Sequence, residues 1–504
     1  MKIALVQGRV RSDRPSDNLE NIKIALNREE LKDVQLVVFP AQSLMGRLGP
    51  RAMKRPGLEV QFKKVWEDFL ALSAAQPKAA LASSFLNIID GRPVEEAFVV
   101  KGGQVLARGR GDDGGPLVCE LDGQVIALHP SDLKTRDADA DEADLLISLK
   151  NEMFQGEAYF PPSFAGGRAW RINVSTVGGE GPCVFDGATW VYSPGGKLKG
   201  WAHGFENTMI ILDTKSLSLP DLNPLPVREP LEVLRQALTS GLRDFVRANG
   251  SGKVLLGLSG GLDSAVCCVL AVDALGPENV LAVAMPSEFN APESLDLARE
   301  LSKNLGINFL TLPIDNIRES FSKAFLLAPK ANEQAASLAN ENIQARIRGV
   351  LLMYMANREE RLLVATGNKS ESAMGYATLY GDTCGAISPI GDVYKTRLYE
   401  LAAHINKDAD RIPKGIVTRP PSAELRPNQK DEDSLPPYAV LDDILYRHLE
   451  SARSGSLVAK EGGHSPMTVA WVLSTLKKNA FKRDQEPFSL IASSCPLDGF
   501  DWPC

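Results

Sequence analysis

What this chain lacks narrows it first. Its 504 residues hold no CxxC pair and no Cys/His cluster at zinc spacing, so neither a structural zinc nor a dithiol redox centre is expected. The seven cysteines, at 119, 183, 267, 268, 384, 495 and 504, are scattered and odd in number, which predicts reduced thiols in a cytoplasmic protein. No Lys/Arg tract occurs and the formal net charge is -7, which argues against a general nucleic-acid binder. No window reaches ~18 uninterrupted apolar residues, so no membrane span is expected. The start, Met1-Lys2-Ile3-Ala4-Leu5-Val6-Gln7, enters a strand-like run with no cleavage pattern.

What remains is ordinary globular composition, 44% hydrophobic and 24% charged, long enough for two or three domains. The two halves differ in pattern. Residues 1–213 alternate short apolar runs with turns: Lys2–Gln7, Val34–Phe39, Ala80–Ser84, Val125–His129, Leu145–Leu149, Thr189–Tyr192 and Thr208–Leu212. Such Val- and Ile-rich runs suit strands buried on both faces, and Asp17–Lys32 has helical spacing, which together predict an α/β sandwich. Residues 214–229 hold three prolines and read as a linker. Helix Pro230–Asn249 follows, with proline at its start and Gly250 beyond its end. Strands Lys253–Leu258, Val280–Met285, Phe309–Leu312 and Leu362–Thr366 then alternate with helices Asp263–Leu275, Ala291–Leu305 and Asn342–Asn357, which predicts a doubly wound parallel sheet.

Between the first of these strands and its helix lies Ser259-Gly260-Gly261-Leu262-Asp263-Ser264. Glycines let the backbone turn tightly and approach a ligand, and the helix N-terminus favours an anion. A carboxylate at 263 would repel phosphate unless a divalent cation lay between them. The alternative is a plain strand-to-helix turn with Asp and Ser capping the helix. Glu371, in Gly367-Asn368-Lys369-Ser370-Glu371, is either a second metal ligand or an acid favoured by a helix start. Asn342 and Arg346 share a helix face while Arg348 lies on another, and Tyr380-Gly381-Asp382 and Lys395 add a carboxylate and an ammonium in loop-rich sequence. The charged, proline-punctuated segment 421–438 is a functional loop or a linker.

Taken in order, SGGLDS, MPS at 285–287, NIQARIRG, GNKSE, LYGDTCG, KT at 395–396, PSAELRPNQKDEDSLPPY and FKRDQ at 481–485 resemble the synthetase domain of the NAD synthetases, from about Pro230 to Gln485. The resemblance implies an adenine nucleotide alpha hydrolase-like fold with a phosphate (PP) loop, in a domain spanning 218–504. It implies ATP-dependent amidation of nicotinic acid adenine dinucleotide to NAD through an acyl-adenylate. Ser259, Gly260, Gly261, Asp263, Ser264, Arg348, Thr366, Lys395 and Ser422 would bind ATP; Asn342, Asp382 and Lys482 would bind the dinucleotide; Asp263 and Glu371 would hold Mg²⁺. Asp263, Lys395 and Asp382 would be catalytic. Arg483 completes a basic pair with Lys482, and Phe481 stands where tyrosine is usual. A homodimer or larger homo-oligomer is implied. Another ATP pyrophosphatase is the runner-up reading, and a non-catalytic scaffold is disfavoured by the intact acidic pair.

Residues 1–217 resemble the nitrilase-like domain that releases ammonia from glutamine in glutamine-using members, through KIALVQ, LVVFP, DLLISL, RAWRINVSTVGGEG and VFDGATWVY. Such domains use a Glu–Lys–Cys triad. Here the Glu position is Ala41 and the Cys position is His129, and no lysine can be matched. The expectation is a retained but silent amidase domain, with free ammonia or ammonia from a separate glutaminase as nitrogen donor. The alternative is glutamine use through a site that these motifs do not reveal.

Overall fold

The computed structural model describes residues 1–89, 92–110, 115–131, 142–156, 166–216, 229–324 and 333–497. These fall into two compact units, one built on Met1–Phe154 and 166–216, the other on 230–497. The boundary expected between 217 and 218, and most of the 214–229 linker, lie outside the described residues.

In the first unit two six-stranded sheets face each other. One runs in the order Thr208–Asp213, Lys2–Gln7, Leu36–Val38, Ala80–Ile89, Arg92–Lys101, Gln104–Gly109. The other runs Leu198–Trp201, Trp190–Tyr192, Trp170–Ser175, Leu145–Lys150, Gln124–His129, Leu117–Leu121. The two-residue period of a strand divides each run between two cores. Ile3, Leu5, Leu36 and Val38 meet Ile126, Leu128, Leu145 and Ile147 between the sheets. Ala4, Val6 and Val37 face the other way, against Ile22 and Leu26 of helix Pro15–Leu26 and Phe62, Val65 and Phe69 of helix Leu58–Ala74. Each large side chain so buried contributes about 1.5–3 kcal/mol. The sandwich expected from the apolar runs is present; helix Leu58–Ala74, with apolar residues at three- and four-residue spacing, is an element that the strand-dominated reading passed over.

The second unit centres on a four-stranded parallel sheet in the order Asn308–Thr311, Val280–Ala284, Val254–Gly257, Leu362–Val364. All four predicted strands are there, three of them shorter than expected and the one at Asn308–Thr311 shifted by one residue. Helices Pro230–Ala248, Leu262–Leu275, Pro292–Leu305 and Glu333–Arg358 accompany them. Because the strands run the same way, their C-terminal ends gather at one edge, where ligands bind in such sheets. A further helical cluster packs Met374, Leu441, Ile444, Leu445, Val469 and Val472 together beyond that edge. Among the described residues no helix is long and apolar enough to cross a membrane.

Candidate active site

The C-terminal edge of the parallel sheet opens into a cleft of about 400 Å³. Its floor is the glycine turn between Val254–Gly257 and Leu262–Leu275. Gly260 has φ +82°, and a Cβ there would lie 2.2 Å from the carbonyl oxygen of Ser294, so no other residue fits without displacing backbone. Ser259 and Ser264 hydroxyls lie 3.1 Å apart, and the Gly261 amide donates to Ser259 Oγ at 3.2 Å. Two hydroxyls and the free amides of a helix start thus surround one concavity, the arrangement that receives phosphate oxygens.

Asp263 leaves this turn and meets two groups from distant sequence. Lys395 Nζ lies 2.5 Å from Asp263 Oδ2 and 3.3 Å from Glu371 Oε1. Asn368 Nδ2 donates to Asp263 Oδ1 at 3.2 Å, while Asn368 Oδ1 accepts from the Glu371 amide at 3.0 Å. Asn368 and Glu371 form a capping box at the start of helix Lys369–Met374, so Glu371 is both a helix-start acid and a member of the acidic pair. The two sequence readings of Glu371 are not exclusive.

Charge at this point is out of balance. Burial pushes the Glu371 carboxyl up to about 8, with Lys395 pulling it down and Asp263 and Asp431 pushing it further up. Burial pulls Lys395 down, but Asp263 and Glu371 outweigh it and hold the ammonium protonated. Asp431 is buried and accepts from Tyr438 Oη at 2.9 Å, and burial raises its carboxyl. Three acids around one ammonium favour a further cation. Among the described residues no group of three or more His, Cys, Asp or Glu is spaced to hold a metal by itself. Asp263 and Glu371 present carboxylate oxygens on either side of Lys395 Nζ, hard donors of the kind that hold Mg²⁺ when phosphate oxygens complete the shell.

The other expected residues divide into two groups. Arg348, Thr366, Asp382 and Ser422 line the cleft. Arg348 donates to the Met285 carbonyl at 3.0 Å and to Asn290 Oδ1 at 3.1 Å, and burial lowers it to about 10. Asp382 is exposed to the cleft but hemmed by protein, which raises its carboxyl to about 6 against the pull of the Thr378 amide at 2.7 Å. Gly381 packs tightly on the helix beneath, where a Cβ would lie 2.8 Å from Ala345 Cβ. Ser422 Oγ bonds within its own loop, to the Gln429 carbonyl at 2.6 Å. Asn342 and Lys482 do not line the cleft: Asn342 Oδ1 accepts from Thr378 Oγ1 at 3.0 Å, and Lys482 Nζ donates to the Gly375 and Ala377 carbonyls at 2.7 and 2.8 Å. Both brace the turn that carries Asp382.

Segment 421–438, open between functional loop and linker, is a wall of the cleft. Glu424 accepts from Asn290 Nδ2 and Ser294 Oγ at 2.8 Å each and pairs with Arg419, and Gln344 Nε2 donates to the Leu425 carbonyl at 2.9 Å. Asn368, Glu424 and Asp431 are the members that sequence reasoning missed. Only Asn368 carried a signal, the three-residue spacing to Glu371.

In the first unit, Ala41 follows strand Leu36–Val38 of one sheet and His129 ends strand Gln124–His129 of the other, with relative exposures of 0% and 1%. Glu95, 3% exposed, bonds the segments that follow them, at Gln42 and Ser131. It accepts from Gln42 Nε2 at 3.1 Å, from Ser84 Oγ, and from the amide and hydroxyl of Ser131 at 3.1 and 2.5 Å. None of these four donors is an ammonium. Burial pushes the Cys119 thiol up. Cys183, expected as a reduced thiol, is disulfide-bonded, which corrects that expectation.

A parallel α/β sheet with a glycine turn, an acidic pair and a lysine at its C-terminal edge defines a nucleotide-binding catalytic domain. Comparison with known proteins agrees. The family described as NAD synthase matches residues 234–486. A glutamine-dependent NAD(+) synthetase of Aquifex aeolicus is 37% identical over 436 residues, 77% of this chain and 76% of that protein. One of Synechocystis sp. is 40% identical over 352 residues, but the alignment spans only 62% of that protein. Among solved structures, a glutamine-dependent NAD+ synthetase of Acinetobacter baumannii in complex with adenosine diphosphate aligns with TM-score 0.72 and 27% identity over 96% of this chain and 94% of that one. One of Cytophaga hutchinsonii, 17% identical with TM-score 0.82 over 99% and 96%, shares the fold. The chain belongs to the NAD synthase family.

Proposed function

We propose that this chain converts nicotinic acid adenine dinucleotide to NAD, spending ATP to AMP and pyrophosphate. The observation that carries the reading is the meeting of Asp263, Glu371 and Lys395 beside the glycine turn. A carboxylate is a poor acceptor for ammonia, since its charge repels the nucleophile and its leaving group is oxide. Attack by the nicotinate carboxylate on the α-phosphorus of ATP expels pyrophosphate and gives an acyl-adenylate. Ammonia then attacks the acyl carbon, the C–N bond forms, and AMP leaves with the C–O electron pair.

Such chemistry needs positioning and cations where negative charge accumulates, and no protein nucleophile. In this reading Ser259, Gly260, Gly261 and Ser264 hold the phosphates, and Lys395 neutralises the triphosphate. Arg348, Thr366 and Ser422 fix the nucleotide. Asp382 faces the dinucleotide, with Asn342 and Lys482 holding its turn. Asp263 and Glu371 would hold Mg²⁺, which when bound neutralises phosphate oxygens and activates the α-phosphorus.

For the nitrogen donor, we favour free ammonia or ammonia from a separate glutaminase. Ala41 cannot take a proton, His129 cannot form a thiolate, and Glu95 already accepts four hydrogen bonds. The second reading, glutamine use through a relocated site in the first unit, is favoured by the name glutamine-dependent NAD(+) synthetase on the relatives. NAD formation by the purified chain, with ammonium chloride against glutamine, separates the two. Efficient turnover on ammonium with no ammonia release from glutamine is expected; rapid glutamine-supported synthesis would reject the ammonia reading.

A further inference from the structure

Lys369 takes no part in the chemistry above, yet it is one of the most completely buried side chains of the chain, 0% exposed. Its Nζ lies 2.6 Å from Glu450 Oε1, 3.0 Å from Asp392 Oδ1, 2.7 Å from Ser493 Oγ and 2.9 Å from the Cys495 carbonyl oxygen. A desolvated ammonium is tolerated only while such partners stay in place; removing one side of a buried ion pair leaves the other charge uncompensated. Two of the partners come from segment 492–495, beyond the family match that ends at residue 486. That segment is folded round the same ions. Asp392 accepts from the Ala492 amide and from Ser493 Oγ at 2.8 Å each, and Glu450 accepts from Ser494 Oγ.

In the other direction the cluster grips the turns that carry Glu371 and Lys395. Lys369 opens the short helix whose third residue is Glu371 and whose cap, Asn368, bonds Asp263. Its own amide donates to the Val393 carbonyl at 3.0 Å, and Asp392 lies three residues before Lys395. One buried charge therefore fixes the turns that present Glu371 and Lys395 to the cleft, and it is closed off by the C-terminal segment.

We propose that Lys369, locked by Asp392, Glu450 and segment 492–495, is the positioning residue that sets Glu371 for the divalent cation of the nucleotide site, so the chain end past residue 486 is part of the metal-binding apparatus. This rests on the ligase reading above. The test uses the full chain and Mn²⁺ as probe, titrated by electron paramagnetic resonance with a non-hydrolysable ATP analogue. Thermal unfolding runs alongside, and the Mg²⁺ and dinucleotide dependence of AMP release is measured separately. Lys369→Met should weaken Mn²⁺ binding at least ~10-fold and raise the half-saturating Mg²⁺ in parallel, with the dinucleotide KM moving less than ~2-fold. Lys369→Arg should fall between it and wild type. If Lys369→Met does not fold, the Ser493→Ala/Ser494→Ala chain decides: about threefold weaker Mn²⁺ binding supports the anchor and unchanged binding overturns it. Wild-type Mn²⁺ affinity in folded Lys369→Met overturns the anchor alone. A wild-type chain with no nucleotide-dependent Mn²⁺ site overturns the ligase reading and the anchor with it.

Discussion

Each unit sets a glutamate among other polar groups, one within strand Arg92–Lys101 and one in the first turn of helix Lys369–Met374, and the two are treated in opposite ways. Glu95 accepts from four uncharged donors and has the Arg47 guanidinium nearby, so its oxygens are taken up by the fold. Glu371 shares a single ammonium with Asp263 and has Asp431 close behind, so burial and like charge raise it to about 8. A fully satisfied buried carboxylate stiffens a structure; an under-compensated one is poised for a cation or a charged substrate.

Mutations can break or sharpen the contrast. The largest effect belongs to Asp263→Ala, which removes the carboxylate common to Lys395 and Asn368; dinucleotide-dependent AMP release should fall at least ~10³-fold, with the unit still folded by circular dichroism. Lys395→Met should cost about 10²–10³-fold in kcat/KM, because it leaves three acids facing the triphosphate without their ammonium. Asp382→Asn tests titration. The Asp382 carboxylate is ionised above about pH 6 and protonated below, so wild-type kcat/KM should fall as pH drops through about 6, and the variant should lose that limb while running ~10-fold slower at neutral pH. The smallest effect on synthesis should come from Glu95→Gln. Ammonium-supported turnover should stay within about twofold, while the first unit loses about 1–3 kcal/mol, read as a lower unfolding midpoint. A large activity loss there would mean that the front site still serves the reaction.

Much of the second unit was legible because its local signals agree with one another. The strand–glycine–helix pattern at 254–275 located the phosphate turn, and the parallel topology then put Thr366 and Glu371 on the same edge as Ser259. What escaped depends on long-range packing. Asp431 looks like any acid in a charged loop until Tyr438 and the cleft wall bury it, and Glu424 becomes structural only through Asn290, Ser294 and Arg419. Asn342 and Lys482 were assigned to the dinucleotide by resemblance, yet they spend their hydrogen bonds on the turn below Asp382, a role that spacing cannot reveal. In the first unit, nothing in Glu95-Glu96 marks the first acid as buried and the second as paired with Arg108.

The most direct measurement follows oxygen. Dinucleotide labelled with ¹⁸O in its nicotinate carboxylate is turned over with ammonium, and the AMP is analysed by mass spectrometry. Attack by the carboxylate on the α-phosphorus requires one labelled oxygen to leave on AMP for each NAD formed. Unlabelled AMP, or label carried into inorganic phosphate, would contradict an acyl-adenylate formed at the Asp263–Glu371–Lys395 site.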